Sequence, residues 1–464
     1  MQHVNPRMRT AAMPSLFALA MMAAIVGLLA VATWLAFNRS YSVAVAMLGA
    51  PAIIAISIPL LRKAQRLEPS STMRQIIFWG LVLKVLGAFG RYGMAYILYA
   101  EGDAATYDLW GRDISAILRS GSFHIDTGTP SIVGTGFVRL LTGIVYTFIG
   151  PSQMAGFLVF AWLGFWGLFF FYRAYRVTFP DANPLLYGCL IFFVPSMFFW
   201  PSSIGKEAWV LFTLGLATLG CAKLFRSKLS GFWQAAAGTL GVALVRPHIA
   251  VILVVSMVVG YALGRVESSG GKRMNPVVKA VVVVVLVGGA LLTANNAAKY
   301  FGVEDASLES ATAVTAEANR RTTQGGSEFA APNPQSPAGF PLAALTVLYR
   351  PFVFEAHNLQ GLITAAEASA FLVLTLVALP RILRNLGQLR RNGFLLACIA
   401  YILLYTYFFG SIGNFGILAR QRIQVLPFLF AVIAMPVSRV YAERSEVQVR
   451  RETETLPAVG LPDD

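Results

Sequence analysis

The chain has 464 residues, of which 56% are hydrophobic and 13% charged, and its mean hydropathy is +0.64. Soluble domains carry about a quarter charged residues, so composition excludes a soluble enzyme, a disordered chain and a disulfide scaffold. The net charge of +15, from 37 Lys+Arg against 22 Asp+Glu, would point to nucleic acid in a soluble protein. Here the basic excess sits in short loops between apolar stretches, which is how a membrane protein fixes its orientation. A lipid bilayer is the expected partner, and no nucleic acid. The three cysteines, Cys189, Cys221 and Cys398, all fall in apolar stretches and read as core thiols.

A bilayer-spanning helix needs about 20 apolar residues. In chain order the apolar stretches are 12–37, 42–61, 76–100, 154–171, 184–200, 208–225, 231–245, 249–263, 276–294, 362–379, 393–409 and 423–437, about twelve in all. The fold class is therefore all-α: a polytopic membrane protein with two long outer loops that contain interfacial helices. Two further stretches, 131–150 and 341–354, are assigned to the interface or to re-entrant pieces. With 131–150 kept out of the count, one face collects Arg62/Lys63/Arg66, Arg173/Arg176, Arg226/Lys228, Arg265/Lys272/Arg273 and Arg381/Arg384/Arg390/Arg391. The positive-inside rule makes that face cytoplasmic, with both termini on it, in the plasma membrane. Four segments follow. Residues 1–75 form an N-terminal transmembrane pair, and 76–230 a core with the outer loop 101–153. Residues 231–440 form a C-terminal bundle with the outer loop 297–361, and 441–464 a disordered cytoplasmic tail.

The outer face gathers carboxylates and histidines. After the third span comes Glu101-Gly102-Asp103, where Asp103 is placed to N-cap an amphipathic helix running to Ser120 and carrying Tyr107. The two acids are either a helix cap with a solvated neighbour or an acid pair at headgroup depth. Lys206–Glu207, in the turn after 184–200, are either a mutual ion pair or an ammonium offered to a phosphate and oriented by Glu207. Arg246-Pro247-His248 breaks two apolar runs at the same level, as an anchor or as site residues. Arg350, Glu355 and His357 close the second long loop. Arg420-Gln421-Arg422 precedes the last span, and paired guanidinium forks suit a phosphate. Lys84 and Arg91 lie inside the third span, where charge is costly and needs partners.

This pattern resembles the GT-C class of membrane glycosyltransferases. The resemblance rests on the acidic pair Glu101-Gly102-Asp103 just after a span, the surface helix to Gly121, a second juxtamembrane element near 130–150, the turn ending at Lys206–Glu207, and an arginine before the last spans. It implies inverting transfer of a sugar from a polyprenyl-phosphate-linked donor to a glycan, lipid or protein acceptor of the cell envelope. Asp103 would be the catalytic base. Glu101 would orient the acceptor or share a divalent cation (Mg or Mn) with Asp103. Arg420, Arg422, Lys206 and Arg246 would bind the donor phosphate. Tyr107, Glu207, His248, Arg350, Glu355 and His357 would bind substrate. The competing readings are a polysaccharide polymerase or ligase using lipid-diphosphate donors, and a transporter or flippase.

Overall fold

Apolar runs punctuated by Pro and Gly fold into helices throughout the computed structural model, which describes residues 30, 41–97, 102–264, 327–384 and 392–436. The expected spans 12–37 and 276–294, residue Glu101 and the tail from 437 lie outside the described residues. Among the described residues there is no strand beyond a single bridge pairing Glu328 with Asn414. The helices are α1 (Tyr41–Arg66), α2 (Ser71–Ile97), α3 (Asp103–Arg119), α4 (Phe137–Ile149), α5 (Gln153–Thr178), α6 (Leu185–Phe193), α7 (Pro195–Phe199), α8 (Lys206–Phe225), α9 (Gly231–Ala243) and α10 (Pro247–Leu263). From within the second outer loop onward come α11 (Gly339–Tyr349), α12 (Leu359–Arg384), α13 (Gly393–Phe409), α14 (Phe415–Arg422) and α15 (Leu426–Ile433).

Six helical stretches among the described residues are long and apolar enough to cross a membrane: Ala44–Arg66, Ser71–Ala95, Ile132–Ile149, Gln153–Thr178, Lys206–Phe225 and Leu359–Arg384. A seventh crossing arises if α14 and α15, bent by 61° at their junction, count as one. Helices α10, α11 and α13 are apolar but shorter. The expected span 184–200 is broken. Pro195 opens α7 and biases Val194 to an extended conformation, φ −63° and ψ 126°, so α6 cannot continue.

The bundle is tight because small residues line its contacts. A Cβ on Gly215 of α8 would come within 2.3 Å of the Gly167 carbonyl of α5, and one on Gly238 of α9 within 2.3 Å of the Ala217 nitrogen of α8. Helices α10 and α13 meet in the same way at Gly260 and Gly393, where the added carbon would sit 2.4 Å from a carbonyl oxygen. In lipid there is little hydrophobic drive between helices, so close backbone approach through such residues carries the association.

Two charges deep in the bundle find backbone or hydroxyl partners. Lys84 of α2 is fully buried and its Nζ donates to the Pro201 carbonyl at 3.2 Å; Gly164 leaves the room it needs. Glu367 of α12 accepts hydrogen bonds from the backbone N–H of Ser196 (2.8 Å) and from its hydroxyl. It thereby satisfies the start of α7 at the break. At the far end, the Glu68 carboxylate receives the Tyr172 hydroxyl (2.5 Å) and pairs with Arg176 (3.3 Å).

Helices α3 and α4 pack side by side and run in the same direction, Tyr107 near the start of α3 meeting Thr135 just before α4. Gly111 and Gly143 bring them together, and Arg119 donates to the Tyr146 and Thr147 carbonyls. The Tyr146 hydroxyl and Arg112 both reach Asp108. Before α4 the chain turns sharply at Gly134, whose φ of +90° favours glycine, and its N–H donates to Leu244 at the end of α9 (2.8 Å).

Candidate functional site

The first residues of α3, α8 and α10 meet at one end of the bundle. Their N-caps are Gly102, Gly205 and Arg246, and none of the three donates or accepts a side-chain capping bond. Each helix start turns the positive end of its dipole toward this group. The side chains that follow those caps, with Arg420 of α14, form one connected group.

Arg420 is the link. Its Nη1 lies 3.2 Å from Asp103 Oδ2 and its Nε 3.2 Å from Glu207 Oε1. The same Glu207 oxygen accepts from Arg246 Nη2 at 2.9 Å. Lys206 lies in the fields of Arg246, Glu207, Asp103 and Arg420, and the field of Arg91 reaches Glu207 as well. Four cations thus surround two carboxylates among the described residues. Side-chain exposure falls from 64% at Asp103 through 33% at Arg420 to 10% at Glu207 and 6% at Arg246. The site is an open mouth with an acid at the rim and a cationic floor. In that floor the buried Arg246 Nη1 finds no hydrogen-bond acceptor among the described residues.

Tyr107 stands one turn along α3 from Asp103. It is buried, and its hydroxyl is hydrogen-bonded to Thr135. Burial, then the nearby Asp103 and Glu207 carboxylates, raise the phenol well above its ordinary range. Tyr107 therefore stays a neutral hydroxyl.

Arg91 packs its guanidinium over Phe199 and Trp200, 5.3 and 5.0 Å from the ring centroids. That contact fixes the segment leading into Lys206. The short helix α7, Lys84 on Pro201 and Glu367 on Ser196 fix the same segment from other sides. The start of α8 is held by the bundle rather than left on a free turn.

Of the expected residues, Asp103, Tyr107, Lys206, Glu207, Arg246 and Arg420 come together. Glu355 and His357 line a neighbouring cavity beside α14, and Arg350 pairs with Glu355. Arg422 turns elsewhere, and His248 stays beside the group in the fields of Arg246 and Lys206. Arg422 is buried, with Nε donating to the Val347 carbonyl (2.8 Å) and Nη2 to that of Arg350, so its fork is engaged with backbone. His248 lies with its ring 5.9 Å from Phe409. Asp103 does not cap α3 through its own side chain. Gly102 takes the cap position, and the Asp103 carboxylate turns to Arg420 instead.

The surroundings of Asp103 are cationic, and no group of three or more His, Cys, Asp or Glu converges among the described residues. Glu101, the second expected donor beside Asp103, lies outside the described residues. Arg91, Thr135 and Glu367 support the site without having been assigned to it from sequence. An interior cation foreshadowed Arg91; nothing local marks Thr135. Comparison with known proteins yields no match: no family model fits the chain, and no curated protein or solved structure is similar to it.

Proposed function

We propose that the protein is a membrane glycosyltransferase that moves a sugar from a polyprenyl-phosphate donor to a cell-envelope acceptor at the outer face of the plasma membrane. The observation that carries this reading is the joining, through Arg420, of a solvent-reachable carboxylate to a buried cationic floor at three helix N-termini. A lipid phosphate on that floor would meet Arg246, Lys206 and Arg420, with oriented N–H groups behind them. Asp103 takes the proton of an acceptor hydroxyl while that oxygen attacks the anomeric carbon. The bond from the anomeric carbon to the phosphate oxygen breaks, and the cations stabilise the charge left on the lipid phosphate. The phosphate competes for Arg420, which releases Asp103 to act as base.

This reading keeps about twelve crossings. Helices α1, α2, α5, α8 and α12 supply five. The broken pair α6–α7, the helices α9, α10 and α13, and the bent pair α14–α15 supply five more, and the stretches 12–37 and 276–294 complete the set. Although the stretch that includes α4 is long enough to span, its partner α3 carries Asp108, Arg112, Asp113 and Arg119. A helix so charged lies at the surface, and α4 stays with it.

The test uses purified protein with synthetic polyprenyl-phosphate sugars and an envelope acceptor fraction. Asp103→Asn keeps the shape and a hydrogen bond to Arg420 but removes the basicity. Transfer should fall at least about 100-fold at unchanged protein stability. An Asn variant that transfers at close to the wild-type rate would end the assignment.

A further inference from the structure

Beside the start of α14, residues 327–328 and 351–358 and the start of α12 enclose a cavity of about 170 Å³. Its polar lining includes Ser327, Glu328, Asn358, Gln360 and Thr364, and Phe415 supplies an aromatic wall. Phe415 is stacked on Phe329 at 4.1 Å, and the Arg350 guanidinium lies 4.6 and 5.1 Å from the two ring centroids, so the wall is rigid. The charges decide what fits. Glu355 is neutralised by Arg350, which reaches both its carboxylate oxygens, and its Oε2 also accepts from the Phe352 N–H. Glu328 adds an exposed acidic side chain to the lining, which disfavours an anion. Glu328, Glu355 and His357 all line the cavity, yet they do not converge as metal donors. What remains is a space with hydroxyl, carboxamide and carboxylate groups around one aromatic ring. Asn358 has its carbonyl oxygen engaged by the Gly361 N–H (2.7 Å), and its amide nitrogen is a donor.

We propose that this cavity is a carbohydrate subsite that holds a sugar ring of the acceptor. A hydroxyl-rich ring matches the mixture of donors and acceptors, and its C–H face matches Phe415. The position matches too. Gly416 and Ala419 of α14 line the cavity, and Arg420 follows Gly416 by four residues, on the same helix face and about 6 Å further along the axis. A sugar seated there presents its next hydroxyl toward Asp103. The acceptor role rests on the transferase reading above; the binding of sugar does not.

Saturation-transfer NMR on the full chain in lipid nanodiscs tests the binding directly, with methyl glucopyranoside, methyl mannopyranoside, methyl galactopyranoside and methyl arabinofuranoside as probes. At least one glycoside should receive saturation. Thr364→Leu, which fills the cavity, should abolish the signal. Asn358→Asp, which keeps an oxygen for the Gly361 N–H and removes the amide donor, should weaken binding at least about fivefold through the loss of a hydrogen bond. Asp103→Asn should bind as the wild type does. Silence from all four glycosides, or signals indifferent to both cavity variants, overturns the subsite. If Asp103→Asn transfers normally while the cavity variants still lose binding, the transferase reading fails and the subsite stands.

Discussion

Arg420 and Arg422 show how two residues apart on one helix differ in task. Side chains at i and i+2 do not face each other, so one arginine of α14 reaches out to Asp103 and Glu207 while the other turns into the core. The sequence suggested a single fork-shaped phosphate clamp because spacing along the chain was legible but helix phase at the bend was not. The exposed Asp103–Arg420 pair is worth about 0–1 kcal/mol, little enough for a ligand to open it. Arg422 instead supports two buried carbonyls, Val347 and Arg350, which would be left without donors. Arg422→Ala should therefore destabilise by on the order of 3 kcal/mol, seen as a lowered unfolding temperature in detergent. Arg420→Ala should leave that temperature nearly unchanged and lose donor use. The opposite pattern would reverse the two roles. Glu355 gives a prediction of pH dependence. Burial pushes its carboxyl up, but the hydrogen bonds from Arg350 and the Phe352 N–H outweigh it, so the net shift is downward. A depressed carboxyl stabilises the fold above its unfolded value, about 4.3, and loses that contribution as pH falls through the folded value. Unfolding temperature should drop more steeply below pH 5 in the wild type than in Glu355→Gln.

At the scale of elements, the sequence was most readable where apolar runs were long. The expected stretches 42–61, 154–171 and 362–379 are the interiors of α1, α5 and α12, and the surface helix expected from Asp103 is α3. It was least readable where the chain bends inside an apolar run. Pro195 lies in the run read as 184–200, and the break it makes is stabilised by a partner far away in sequence. That partner, Glu367, sits between Ala366 and Ala368 on α12 and carries no local mark of its purpose. Hydropathy averages it away; only the fold brings it to Ser196. The clustering at the site was hidden for the same reason, since Asp103 and Arg420 meet across 317 positions. Glu367→Ala should leave the Ser196 N–H and hydroxyl unsatisfied and cost about 1–3 kcal/mol. Glu367→Gln, which keeps an acceptor, should recover part of the loss. Because Ser196 begins the segment that delivers Lys206, the Ala variant should also weaken donor use. Equal thermal stability of Glu367→Ala and wild type would show that the break holds without the carboxylate.

Across the whole molecule, the site and the basic loops lie at opposite ends. Helix α8 has 20 residues, about 30 Å at 1.5 Å each, which matches the hydrocarbon core of a bilayer. Lys206 and Glu207 begin it, and Arg226 and Lys228 follow its end. Helix α12 starts at Leu359 beside the cavity and finishes with Arg381 and Arg384. Helix α5 places Arg176 at its last turn, paired to Glu68, and α1 ends in Lys63 and Arg66. Apart from Lys206, which belongs to the site itself, these helices carry their cations at the end away from Asp103. The site's own cations are counted against carboxylates and helix ends, whereas the far-end cations are mostly loop charges, the kind that sets orientation. The site should therefore face outward. With exposed Cys189 first replaced by Ser, and Cys221 and Cys398 buried, Asn358→Cys should react with a membrane-impermeant maleimide in intact cells. Lys228→Cys should react only after permeabilisation. The inverse pattern would put the carboxylate rim and the cavity on the cytoplasmic side, where nucleotide-linked sugars are the available donors, and the polyprenyl-phosphate reading would fall with the topology.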